Sequence, residues 1–126
     1  MIAWQQQTET LVSVIADLLA GCRHVAVGAQ SPIPGTAALL ARRESAGALR
    51  VSVLDTERHS AFTNGACELF DCAAEGRIDA FFLSGGQIDG QANLNLVGTG
   101  SYPGVDVRWP GSFGSAFLYF LVPRVI

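Results

Sequence analysis

An open, mainly parallel α/β sheet with flanking helices is the fold class this sequence predicts, and three observations predict it. Short apolar runs alternate with helical segments of ten or so residues, the pattern of βαβ units whose helices pack on a parallel sheet. Two of those runs lead directly into glycine-rich loops, as strands of such sheets do at their ligand-binding edge. Hydrophobic residues fill 49% of the 126 positions and charged residues only 15%, which suits one domain burying roughly two-thirds of its unfolded surface.

Each element follows from local pattern. Residues 8–19 set Leu11, Val12, Ile15, Leu18 and Leu19 at helical spacing, and Gly21 stops the run. Residues 25–27 are a short apolar strand, ending in the breaker-rich loop Gly28-Ala29-Gln30-Ser31-Pro32-Ile33-Pro34-Gly35. Residues 36–43 have the alanine and leucine content of a helix, with Arg42 and Arg43 where cations suit the helix dipole. A β-rich run over 49–54, a helix over 64–75 closed by Gly76 and a buried strand over 78–83 complete the alternation. From Ser84 the chain turns polar and loop-like, with a short extended piece at 105–109. Residues 116–122 (Ala-Phe-Leu-Tyr-Phe-Leu-Val) are too apolar for an exposed tail and are expected to be buried. Beyond them Pro123-Arg124-Val125-Ile126 offers no polar closing turn, so either a partner covers this end or the chain is a C-terminally shortened version of something longer.

Composition excludes several chemistries. All eight basic residues are arginine, so no catalytic lysine or Schiff base exists. A net charge of −3 without a basic stripe argues against nucleic acid as a partner, because phosphate neutralisation carries most of that affinity. Cys22, Cys67 and Cys72 are an odd number without CxxC spacing and are read as reduced thiols. The polar opening nine residues lack the plan of a signal peptide, and no stretch of about 20 apolar residues could span a membrane. A cytoplasmic protein with no membrane partner is the expectation.

Two groups of residues could carry chemistry. Glycine-rich loops at strand ends let backbone N–H groups approach a phosphate or oxyanion, aided by the N-terminus of a following helix. The stretch 85–95 is neither GxGxxG before a helix nor GxxxxGK[ST], so those nucleotide sites are disfavoured. Its bland reading is a hairpin turned by Gly85, Gly86 and Gly90, with Asn93 and Asn95 as turn residues. The second group is Asp55, Glu57 and His59, just past a strand, where a nucleophile or general base would be presented; the same run is common in solvated loops. Ser60 beside His59 does not make a triad by adjacency. His24 is assigned a structural role, and Asp89 and Asp106 flank loops that they could orient by accepting N–H bonds. Cys67 and Cys72 fall well apart around a helix, which disfavours a shared metal. Phe81, Phe82, Phe113, Phe117 and Phe120 are core aromatics or an interface.

The motifs Ser84-Gly85-Gly86-Gln87-Ile88-Asp89, Ala92-Asn93-Leu94-Asn95 and Arg108-Trp109-Pro110-Gly111-Ser112-Phe113-Gly114-Ser115 together resemble the β subunit of family I coenzyme A transferases, the glutaconate CoA-transferase type. The likeness runs from about residue 25 to residue 126 and includes the 30–35 loop. It implies a CoA-transferase-like α/β subunit that pairs with an α-type subunit and binds acyl-CoA between the two, as an oligomer, with the CoA thioester as substrate and no permanent cofactor or metal. In active transferases of this type a β-subunit glutamate in a Glu-Ser-Gly setting attacks the thioester and becomes a glutamyl-CoA intermediate, splitting one hard exchange into two easier acyl transfers. Here the matching stretch is Val53-Leu54-Asp55-Thr56-Glu57, with Leu54 at the glutamate position. Ala92 replaces a usual glycine, and family β subunits run well beyond residue 126.

The resemblance assigns Gly85, Gly86 and Gln87 to the acyl or CoA site, Asn93 and Asn95 to holding that loop, and Gly111, Ser112 and Gly114 to a second backbone cradle ending at Ser115. Glu57 is the one acid nominated as base or nucleophile. Three activities follow from it: CoA transfer; cleavage of CoA-linked ring compounds with the catalytic acid in the α subunit, as is thought for relatives without the β-subunit glutamate; or binding of CoA or a partner without chemistry.

Overall fold

Four parallel strands carry the molecule, which a computed structural model describes over residues 2–126. Their order is β2 (Arg50–Val53), β1 (His24–Val27), β3 (Ala80–Phe81) and β8 (Arg124–Val125). Helices α1 (Ile2–Leu18), α2 (Pro32–Glu44), α3 (Gly65–Ala74) and α4 (Ser115–Leu121) flank the sheet. Two antiparallel ribbons, β4 (Gln87–Ile88) with β5 (Leu94–Asn95) and β6 (Gly98–Ser101) with β7 (Gly104–Arg108), fill the stretch between β3 and α4. The predicted open parallel α/β sheet is what forms.

Alternate residues of the strands feed two cores. Val25, Val27, Val51, Val53, Ala80 and Phe82 pack with Ile15 and Leu19 of the first helical segment and Ala37, Ala38 and Ala41 of α2. On the other face Ala26, Ile78 and Phe81 meet Leu69, Cys72 and Ala73 of α3 and Leu118 and Val122 at α4. Each fully buried aliphatic side chain contributes roughly 1.5–3 kcal/mol. The alanine run of α2 brings its backbone close to the sheet, which a larger residue there would prevent.

His24 is buried in this sheet, with Nε2 2.9 Å from Ser52 Oγ and its ring 5.9 Å from that of Phe62. Burial lowers its pKa, aided by the Arg50 charge. This is the structural role read from the sequence.

Four expectations need correction. Leu11 and Leu18 lie on the exposed side of α1, because Ile15, Ala16 and Leu19 already cover α2 and the sheet. The strand expected over 78–83 is regular only at Ala80 and Phe81, although Asp79 N–H and Leu83 N–H still bond to His24 O and Ile126 O on either side of it. Residues 98–101, read as loop, form a strand: a Cβ at Gly98 would lie 2.1 Å from the Val107 carbonyl oxygen, so glycine alone permits the pairing. The 116–122 segment is not buried as a whole, nor is Phe113 before it. Leu118 and Val122 are, but Phe113 is 86% and Phe120 84% exposed, and Phe117 is about half exposed.

The β1–β3 register is clamped by one carboxylate. Asp79 accepts bonds from the backbone N–H of Arg23 (2.6 Å) and His24 (3.0 Å) and from the Arg23 guanidinium (2.8 Å), while its own N–H donates to His24 O (2.8 Å). The Arg23 side-chain bond, with those from the two amides, holds the Asp79 carboxyl down at about 2, from an ordinary 3.8. A depressed carboxylate stabilises the fold above its ordinary pKa and loses that contribution as pH falls through its folded value. Asp79→Ala is expected to cost about 1–3 kcal/mol in urea unfolding at pH 7, and the gap between variant and native protein should close as pH falls from 4 toward 2.

Candidate functional site

Because β2, β1 and β3 are adjacent and parallel, the loops that leave their C-terminal ends share one edge of the sheet. Residues 28–31, 54–60 and 82–86 emerge there, at the edge where open α/β sheets bind ligands. A cleft of about 480 Å³ opens between the first two loops. Gln30, Ser31 and Thr36 line one wall, and Leu54, Asp55, Thr56 and His59 the other.

The walls are held by backbone bonds. Leu54 N–H donates to Val27 O at 3.0 Å, so Leu54 sits one residue beyond the strand with its side chain half-buried against the second core. Val53 N–H donates to His59 O at 2.9 Å, and Thr56 Oγ1 donates to Val53 O at 2.8 Å. The loop therefore folds back on β2 and presents Asp55 and His59 to the cleft. Gln30 (φ 53°) and Asp55 (φ 58°) occupy the left-handed region on opposite walls. Such residues cost of order 1 kcal/mol and concentrate at functional sites.

The dipole expected at the start of α2 is poor in donors. Pro32 and Pro34 have no N–H, Gly35 N–H donates to Ser31 O, and Ser31 Oγ turns back to Ala29 O. Glu57 is exposed on the same loop but does not line the cleft. Sequence reasoning singled out Asp55 and His59 and missed that Gln30 and Thr36 face them. Parallel pairing of the two preceding strands was the signal for that juxtaposition.

The glycine motifs are built differently from an open cradle. Gly86 N–H donates to Asn95 O, and a Cβ at Gly86 would fall 2.1 Å from the Trp109 ring, so the indole covers this turn. Asn95 donates to Gln87 Oε1 (2.7 Å) and Gly98 O (2.9 Å) and accepts from Val97 N–H (3.0 Å). Asp89 accepts from the Asn93 side chain (2.8 Å) and from the N–H groups of Asn93 and Gln91, which lower its pKa. Asn93 and Asn95 thus hold the β4–β5 hairpin together, and Asp89 orients its turn. Asp106 instead lies against Gly100.

In the second motif, Ser115 N–H and Oγ both bond to Ser112 O, and a Cβ at Gly114 would meet the Phe70 ring at 2.0 Å. The amides of Gly86 and Ser115 are therefore bonded within their own motifs. Asn93 and Ser112 come together in a second cleft of about 280 Å³, whose other lining includes Leu83, Leu94, Val97 and Phe120. Gly85, Gly86, Gln87, Gly111 and Gly114 do not line it. Cys67 is exposed and Cys72 buried, as their separation on α3 requires.

No protein-family model and no curated protein matches this chain. Solved structures do. The decarboxylase AibA/AibB is 26% identical with a TM-score of 0.81, over 94% of this chain and 56% of that one. Glutaconate coenzyme A-transferase from Acidaminococcus fermentans is 19% identical with a TM-score of 0.76, over 94% and 54%. IpdAB from Rhodococcus jostii RHA1 is 20% identical with a TM-score of 0.71, over 93% and 51%. The last two show the shared fold alone. The chain has the family I CoA-transferase and AibA/AibB fold, and it spans a little over half the length of the chain it matches in each of these structures.

Ala92 stands at φ 62°, so an L-residue occupies a left-handed turn position that favours glycine. Ala92→Gly is expected to gain about 0.5–1 kcal/mol in urea unfolding, the left-handed penalty less the entropy cost of glycine. Gly86→Ala, which drives a methyl into the Trp109 ring, is expected to lose about 1–3 kcal/mol.

Proposed function

We propose that this chain is the β-type subunit of a CoA-transferase-like heteromer that acts on acyl-CoA thioesters, and that its reaction changes the acyl group instead of exchanging CoA. The observation that carries this reading is Leu54. It stands one residue past β2, lines the cleft at the sheet edge and has no atom that could attack a thioester carbonyl. Formation of a glutamyl-CoA intermediate requires a carboxylate at that point.

The likeness to the decarboxylase AibA/AibB, at 26% identity over 94% of this chain, supports acyl-group chemistry over transfer. Decarboxylation, or water-driven cleavage of a carbon–carbon bond, develops negative charge on the thioester oxygen, and donors fixed there accelerate the step. In this reading the Gln30 side-chain amide and the 28–30 backbone face that oxygen. His59 and Asp55 hold and move the proton, and an acid from the α-type subunit completes the site. The partner covers Phe113, Phe117 and Phe120, a cluster of exposed aromatics of the kind that anchors interfaces. Three unpaired cysteines agree with a reducing, cytoplasmic setting.

The test is to co-express the chain with an α-type subunit and supply acyl-CoA thioesters, dicarboxylic ones included, together with labelled acetate. We expect an altered acyl group, no CoA moved to acetate and no CoA-linked peptide by mass spectrometry. Exchange into acetate with an adduct on Glu57 would restore the transferase reading. Leu54→Glu supplies the missing carboxylate and is expected to trap a CoA adduct at residue 54.

A further inference from the structure

We propose that a pocket on the outer edge of β2, separate from the thioester reading, is a binding site for phosphoryl groups. Arg42 in the last turn of α2, Arg50 at the start of β2 and Arg58 in the loop after it line one cavity of about 310 Å³. His59 and Ser60 complete its polar wall, and no carboxylate belongs to it. Three of the eight arginines of a chain with net charge −3 thus stand around one space, drawn from three elements.

These guanidinium groups have no partner among the described residues. The ion pairs there are Arg23 with Asp79 and Arg77 with Glu75, and no side-chain hydrogen bond is donated by Arg42, Arg50 or Arg58. Glu68 feels the charge of Arg50, but its Oε2 is taken by Thr63 N–H (2.6 Å), Thr63 Oγ1 (3.0 Å) and Asn64 N–H (3.1 Å). The Arg42 guanidinium makes no capping bond at the end of α2 either. The Arg42 carbonyl already accepts from Gly47 N–H (2.8 Å) and Ser45 Oγ (2.9 Å).

The backbone adds a donor. Arg50 N–H bonds to Arg23 O and Leu54 N–H to Val27 O, so even-numbered amides of β2 face β1 and odd-numbered ones face outward. Val53 N–H meets His59 O. Val51 N–H has no acceptor among the described residues, and Val51 lines the pocket. Planar guanidinium forks with an aimed amide match the geometry of phosphate oxygens and favour them over a simple halide. The phosphates could belong to the coenzyme itself, because His59 lines both this pocket and the thioester cleft, or to a separate phosphorylated molecule.

Calorimetric titration of the full chain with pyrophosphate in 150 mM NaCl tests the assignment, since that salt screens diffuse surface attraction. Saturable one-to-one binding is expected, weakened at least tenfold in Arg50→Gln/Arg58→Gln and in Arg58→Gln alone, but unchanged in Arg77→Gln, whose partner is Glu75. No saturable binding overturns the proposal, as does equal weakening by Arg77→Gln or none by the pocket variants in protein whose circular dichroism is native. Competition then identifies the source. Displacement of pyrophosphate by CoA but not by pantetheine assigns the pocket to the coenzyme's phosphates, and displacement by ADP but not by CoA assigns it to a separate ligand. Either result supports the site and leaves the thioester reading to its own test.

Discussion

The Asp79 clamp decides where everything else lies. One carboxylate takes both backbone amides at the entry to β1 while its own amide returns to His24 O, so β1 and β3 begin in fixed register. With β2 paired in parallel on the other side of β1, the ends of all three strands are brought level. The loops after them therefore share an edge, and the cleft between Gln30 and Asp55 follows from the pairing itself.

The alternation that announces a parallel sheet was legible because it rests on local pattern: apolar runs of three to six residues and helices closed by Gly21 and Gly76. Elements whose existence depends on long-range fit were not. The β6–β7 ribbon forms because Gly98 and Gly100 admit the opposite backbone, which no periodicity reveals. The apolar stretch before the C-terminus has only one side to give the core, so hydrophobicity alone overstated its burial.

The site was legible in part for the same reason. Asp55 and His59 stand beside a strand end and could be named from their neighbourhood, whereas Gln30 and Thr36 become their neighbours only through strand pairing. The glycine motifs were visible, but their local chemistry was not. Gly86 and Gly114 are small because Trp109 and Phe70 pack on them, and the asparagines serve the hairpin. Arg42, Arg50 and Arg58, eight residues apart and on three elements, gave no signal as a group.

Everything proposed for this site turns on a leucine where an attacking carboxylate would have to stand, in the lining of a cleft whose polar groups include Asp55 and His59. The most direct measurement is a crystal structure of the chain with its α-type partner and a non-reactive thioether analogue of an acyl-CoA. The acyl carbon is expected over Leu54, between the 28–31 and 54–60 loops, with no carboxylate of this chain within attack distance, about 3–3.5 Å. An acyl carbon held at that distance from the Asp55 or Glu57 carboxylate, or bound at the opposite end of the strands, would contradict this reading.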